Sequence, residues 1–174
     1  MIGQLNFPVA AKVARNTGWG ATIFAMADLR TVEARKADVL GALEAQRDLW
    51  LATADTSGRP HLIAVSAWWD GSNLVVATRS DSRTAANLPS GSEVRLAAGS
   101  PADVIMIDAR VAESLPAGEA AELADGFTIA VGWDPREVGE GWTFYRLRPT
   151  RIQAYRGYDE LEGRFVMRNS RWLA

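Results

Sequence analysis

The sequence contains no cysteine, which excludes disulfides, thiolate metal sites and cysteine nucleophiles. It contains one histidine, His61. A zinc site built on several histidines is therefore excluded, and a Ser-His-Asp triad would have to use His61. There is no excess of positive charge. The formal net charge is −2, so a general nucleic-acid role, which needs a basic surface to displace counterions, is not expected. No apolar run approaches the roughly 18 residues of a membrane-spanning helix. The start, MIGQLNFPVAAKVARNTGWGATIFAMADL, lacks a basic segment followed by an unbroken apolar core, and it does not read as a secretory signal. A cytoplasmic location is expected. The glycine-rich loops GxGxxG and GxxxxGK[ST] are absent, and no pair of carboxylates stands out as an acid/base couple. A chain this poor in reactive groups points to chemistry carried by a bound organic cofactor.

What is present is a chain of 174 residues, 48% hydrophobic and 23% charged, enough for one domain with a core. Residues 1–30 show no clear period and are expected to form an N-terminal arm, packed across a partner subunit because so apolar a segment should not hang free. Residues 31–174 are expected to form one domain. TVEARKADVLGALEAQRD carries Val32, Val39, Leu40 and Leu43 near helical spacing, with charges between them. A strand, LWLATAD, follows. A TSGR turn places Gly58 where positive φ is needed. PHLIAVSAWW is a second strand, DGSN a hairpin turn, and LVVAT a third strand. EVRLAA and DVIMIDARVAES read as two more. LPAGEAAELADGFTIAVG is expected to be mostly helical, with Pro116 in its first turn. WTFYRLRP and RIQAYRG read as strands separated at Pro149, and GRFVMRNSRWL as one short strand. Six or so antiparallel strands with a few helices and no internal repeat suggest a closed or nearly closed barrel with helices at its ends.

The second strand alternates His61, Ile63, Val65, Ala67 and Trp69 on one side with Leu62, Ala64, Ser66 and Trp68 on the other. Both faces are apolar. One should be the barrel core, the other covered by a helix, a second subunit or a flat ligand. Asp108, set among apolar residues, either points outward on the polar face or, if partly buried, needs a partner: Arg110 or an arginine on a neighbouring strand. Downstream of the third strand, Thr78, Arg79, Asp81, Ser82, Arg83 and Thr84 gather hydroxyls and cations where a helix begins. Two readings stay open there. Ser82 simply caps the helix, or an anion such as a phosphate is held.

The order of strand, turn, strand, Asp-Gly turn, strand ending in Thr, then Ser-Arg at a helix start resembles the flavin-binding split-barrel proteins related to pyridoxamine 5′-phosphate oxidase. The resemblance is carried by LWLATADTSGRPHLIAVSAWWDGSNLVVATRSDSRTAANL and returns in FYRLRPTRIQAYRGYDELEGRF. It implies a mainly β, six-stranded antiparallel split β-barrel with peripheral helices. It further implies a homodimer with two FMN sites at the subunit interface. His61, Leu62, Ile63, Ala64, Val65 and Ser66 match the segment lying along the flavin, largely through backbone groups. Ala77 and Thr78 match a strand end at the cofactor. Arg83 matches the phosphate-binding arginine, with Ser82, Thr84 and Arg79 beside it. Tyr155 falls where an aromatic from the second subunit approaches the cofactor, and Arg164 matches a further cofactor-contacting arginine, allowing a one-residue gap. Ser66 and Thr84 stand where lysines are common in the family. Glu160-Leu161-Glu162 replaces a substrate-binding Arg-Leu-His, and its carboxylates would repel a phosphorylated substrate. The expectation is thus an FMN-dependent oxidoreductase, with a nicotinamide as one candidate electron donor, that is not a pyridoxamine phosphate oxidase. The alternatives are a reductase using a deazaflavin coenzyme and a non-enzymatic dimer holding flavin or haem, for which His61 is the single histidine ligand.

Overall fold

The computed structural model describes residues 29–174. The expected arm therefore lies outside the described residues, except for Leu29 and Arg30. Helix α1, Val32–Ala45, is capped by Thr31, whose Oγ1 accepts the Ala34 N–H at 3.2 Å. Strands β1 (Asp48–Ala54), β2 (Pro60–Trp69) and β3 (Leu74–Arg79) form the antiparallel meander the sequence foretells. Gly58 and Gly71 have φ of 76° and 94°, the left-handed conformation both turns demand. In each turn an aspartate folds back. Asp55 accepts from Ser57 and Arg59 N–H, and Asp70 from Ser72 and Asn73 N–H.

After the short α2 (Arg83–Ala86) come β4 (Glu93–Ser100) and β5 (Asp103–Pro116). A 3-10 turn, α3 (Ala121–Val131) and α4 (Pro135–Val138) follow. The chain ends with β6 (Trp142–Tyr155), β7 (Phe165–Arg168) and β8 (Arg171–Trp172). The strands run in the order β3-β2-β1-β4-β5-β6, and β3 pairs with β6 to close a six-stranded antiparallel barrel. The β7–β8 hairpin extends the sheet beyond β6.

Three expectations need correction. Pro149 does not divide two strands, because β6 runs through it. Pro149 faces Ala109 while Arg151 faces Asp108, so Thr150 bulges out. A bulge is where a missing N–H is tolerated in a sheet. Pro116 does not lie inside a helix's first turn; it ends β5, paired with Thr143, and caps the 3-10 turn Ala117–Glu119 that precedes α3. The final segment makes two strands rather than one, turning at Asn169 and Ser170, both at positive φ.

The barrel interior is filled by Leu49, Leu51, Val65, Leu96, Ile107, Leu147 and Ile152, with Val39 and Leu43 of α1 plugging one side. A second core lies under α3. There Phe127 meets Phe144 edge-on at 5.3 Å and Trp133 at 5.6 Å. Trp68 and Trp69 do point apart. Trp69 packs against the barrel core and Trp68 against the α3 core.

Candidate functional site

The site is created by an incomplete strand pairing. β1 pairs with β2 along Pro60–Ser66. On its other side β2 meets β3 only at Ala67–Trp69, opposite Leu74–Val76. From Ala77 onward β3 pairs with β6 alone. One backbone edge of β2, from His61 to Ser66, is therefore left without a strand partner among the described residues. Ala77, Thr78 and α2 stand across this split. An unpaired strand edge offers a row of N–H donors and C=O acceptors to whatever lies along it.

The corner where β3 hands over to α2 is knitted by side chains. Thr78 Oγ1 and Ser82 Oγ lie 3.0 Å apart, and Ser82 Oγ accepts the Ala85 N–H at 3.0 Å. His61 Nε2 lies 3.2 Å from Oγ1 of the buried Thr84. Asn87 Nδ2 donates to Thr53 Oγ1 at 3.0 Å, fastening the far end of α2 to β1. Two guanidinium groups border this corner, and they differ. Arg79 donates to Asp81 at 3.2 Å and holds that carboxyl below its ordinary range, so its charge is matched. Arg83 is exposed. It makes one long bond, 3.4 Å, to the Pro60 carbonyl, and has no carboxylate partner among the described residues. The capping role of Ser82 and an available Arg83 thus coexist, and the two readings of this stretch are not exclusive.

The two faces of β2 have different fates. Val65 and Ala67 enter the barrel core, and Trp68 lies beneath α3. Ser66 Oγ donates to Asp48 at 2.9 Å and accepts the Trp133 indole N–H at 3.2 Å, so its hydroxyl serves the packing of the loop after α3. Leu62 and Ala64 are exposed, and Trp50 of β1, opposite Ala64, is exposed too.

The structure brings His61, Ala77, Thr78, Arg79, Ser82, Arg83 and Thr84 together. It does not bring Tyr155 and Arg164 to them. Tyr155 ends β6 opposite Val104, and Arg164 precedes β7, donating to Gln153 and to the Leu161 carbonyl at 2.8 Å each. Glu160 does not present its charge to a groove. It is 5% exposed, accepts from Arg30 at 2.6 Å and from the Arg156 N–H, and its carboxyl is drawn down to about 2 chiefly by the Arg30 hydrogen bonds, against burial. Asp108 finds its partners on neighbouring strands. Arg95 and Arg151 each donate to it at 2.6 Å. Among the described residues no cluster of His, Asp and Glu is arranged to hold a metal, and no helix is long and apolar enough to cross a membrane.

Sequence reasoning missed the row Arg95–Asp108–Arg151–Arg168 and its neighbour Phe165. Strand alternation points these side chains outward, but only the register of β4 to β7 aligns them.

A comparison with curated proteins finds no match. Solved structures share the fold at low identity. A putative pyridoxamine 5′-phosphate oxidase from Listeria innocua is 16% identical with a TM-score of 0.55, covering 68% of this chain and 96% of its own. HutZ, the haem storage protein of Vibrio cholerae, is 16% identical with a TM-score of 0.54, covering 71% and 96%. An F420 reductase is 19% identical with a TM-score of 0.55, covering 64% and 93%. The sequence profile of pyridoxamine 5′-phosphate oxidase matches residues 36–154, a span that holds the whole split and the corner at Arg83. With barrel, split and profile in agreement over the same residues, the chain belongs to the pyridoxamine 5′-phosphate oxidase family.

Proposed function

We propose that the chain is a flavin-dependent oxidoreductase that binds FMN along the split, as a homodimer, and that it does not oxidise pyridoxamine phosphate. The observation carrying this reading is the free edge of β2 ending at an exposed, unmatched Arg83. The residues fit the cofactor. His61–Ser66 supplies backbone donors and acceptors for a flat polar ring. Arg83 and the Ser82 hydroxyl supply a charge-assisted grip for a phosphate. Thr84 is turned toward His61 and positions that side chain. Bound flavin supplies hydride or electron transfer; the chain's own residues bind, orient and exclude water.

The homodimer is supported by the uncovered apolar face of β1 and β2, where Trp50 is 55% and Leu62 60% exposed. A dimer is also the arrangement that the resemblance implies for Tyr155, which lies away from the split within one chain. Against the rejected substrate, no cation stands in the Glu160-Leu161-Glu162 triplet, and Glu160 is committed to Arg30.

The test is the absorption spectrum and released small molecule of the purified protein. FMN gives a yellow protein with flavin bands. Absorption at shorter wavelength identifies a deazaflavin instead, and an intense Soret band identifies haem. Arg83→Ala should weaken FMN by about ten- to a hundredfold, the worth of one charge-assisted contact. Unchanged FMN affinity in that variant overturns the assignment. Bleaching of bound flavin by a reduced nicotinamide separates an enzyme from a store.

A further inference from the structure

A second concavity among the described residues lies outside the split. It is a concavity of about 890 Å³ on the outer face of the barrel, where β1 and β4 diverge beyond Ala52–Arg95 and β6 bulges at Thr150. Strand β1 stands between it and the free edge of β2. Ala52 and Ala54 supply an apolar part of its floor, beside Thr53 and the core residues Val94 and Ala109.

Its rim is crowded with guanidinium groups. Arg95, Asp108, Arg151 and Arg168 sit in one row across four neighbouring strands. Arg95 and Arg151 share Asp108. Burial opposes that carboxylate's charge, but the two arginines outweigh burial and hold its pKa low. Arg168 is the direct cross-strand neighbour of Arg151 and has no carboxylate partner among the described residues. Arg164 gives its hydrogen bonds to neutral oxygens. Glu93 at the rim is already held by Arg110. Three guanidinium groups of the lining, Arg95, Arg151 and Arg168, thus share one carboxylate, Asp108, on a chain whose net charge is −2.

Like charges on facing strand positions are destabilising. Here the repulsion is only partly relieved by Phe165, whose ring centroid lies 4.1 Å from the Arg168 guanidinium carbon, 4.9 Å from that of Arg164 and 5.9 Å from that of Arg151. Phe165 gathers Arg151 and Arg168 at one end of the concavity, away from Ala52 and Ala54 on β1. Planar guanidinium groups presented together match phosphate or carboxylate oxygens.

We propose that this cavity is a second ligand site, which binds an organic anion of two or more charges, a phosphate ester or polycarboxylate. Its charged end meets Arg151 and Arg168, and its apolar part lies against Ala52 and Ala54. The proposal does not rest on the flavin reading of the split.

The test uses the whole chain and two probes, inorganic phosphate and phenyl phosphate, with binding followed by calorimetry. Phenyl phosphate should bind more tightly than inorganic phosphate. Arg168→Ala should weaken both by about tenfold or more, and Arg168→Lys should retain part of the affinity. Arg168 is exposed at a strand end, so the melting temperature of these variants should match the parent. The binding that Arg168→Ala removes should persist in Arg83→Ala, which separates this site from the split. Three results would overturn the proposal: no saturation of either probe below about 10 mM, affinities indifferent to Arg168→Ala, or no advantage of the phenyl group.

Discussion

His61 on β2 and Thr84 on α2 meet across the mouth of the split, Nε2 to Oγ1, at 3.2 Å. The contact joins the free strand edge to the helix that carries Arg83. It also engages Nε2 of the chain's single histidine and orients that ring through a hydroxyl. Thr84→Val keeps the shape and removes the hydroxyl. It should cost about 1 kcal/mol of stability, read from a urea unfolding curve, because His61 loses a partner in a half-buried place. FMN affinity should fall far less than in Arg83→Ala. A loss as large as that of Arg83→Ala would mean that Thr84 itself holds the cofactor.

Stability should depend on pH through Glu160. Its folded-state pKa, about 2, lies below the ordinary 4.5. The stabilisation is therefore complete above the unfolded-state value and is lost as pH falls from about 4.5 toward 2. Asp108, held low by its arginines, acts in the same direction. Glu160→Gln should lower stability at pH 7 by about 2–3 kcal/mol, since Arg30 and the Arg156 N–H lose a charged acceptor. It should also flatten the acid limb of a stability–pH profile. An acid limb unchanged by the substitution would show that Glu160 is not its source.

Gly126→Ala should destabilise the protein despite the better helix propensity of alanine, worth about 1 kcal/mol. A Cβ at Gly126 would lie 2.4 Å from the Trp68 ring. That ring is wedged under α3 against the second core, so helix and strand must separate. The expected readout is a lower melting temperature together with a changed near-ultraviolet tryptophan signal. Gly118→Ala, where no atom lies near the added methyl, serves as the control and should be close to neutral.

The uncovered face at Trp50, Leu62 and Ala64 predicts the oligomeric state. The parent should sediment as a dimer. Leu62→Glu, which places a charge at its centre, should sediment as a monomer and lose FMN affinity if both subunits build the site. Leu62 is 60% exposed in the single chain, so the monomer itself should stay folded. A parent that sediments as a monomer rejects the dimer.

Much of this molecule was legible before any coordinates. Alternation in PHLIAVSAWW separated Trp68 from Trp69, Gly58 and Gly71 marked their turns, and the TRSDSRT stretch announced both a cap and an available cation. These are local properties, set by side-chain period and by the φ that each turn requires. Where local rules misled, pairing overrode them: Pro149 is absorbed by the bulge at Thr150, and Pro116 by its pairing with Thr143. Glu160 shows the same limit. Its charge suggested a repulsive groove, yet Arg30, 130 positions earlier, buries and matches it.

The amino-acid order alone thus determined the strands, the turns and the chemical character of the corner at Arg83. Only the tertiary structure decided where the barrel opens, since that depends on β3 parting from β2 after three paired residues while it stays paired with β6 along its whole length. It alone aligned Arg95, Asp108, Arg151 and Arg168 into one row. Register between strands distant in sequence is an outcome of how the whole sheet closes and packs, and no single strand's pattern contains it.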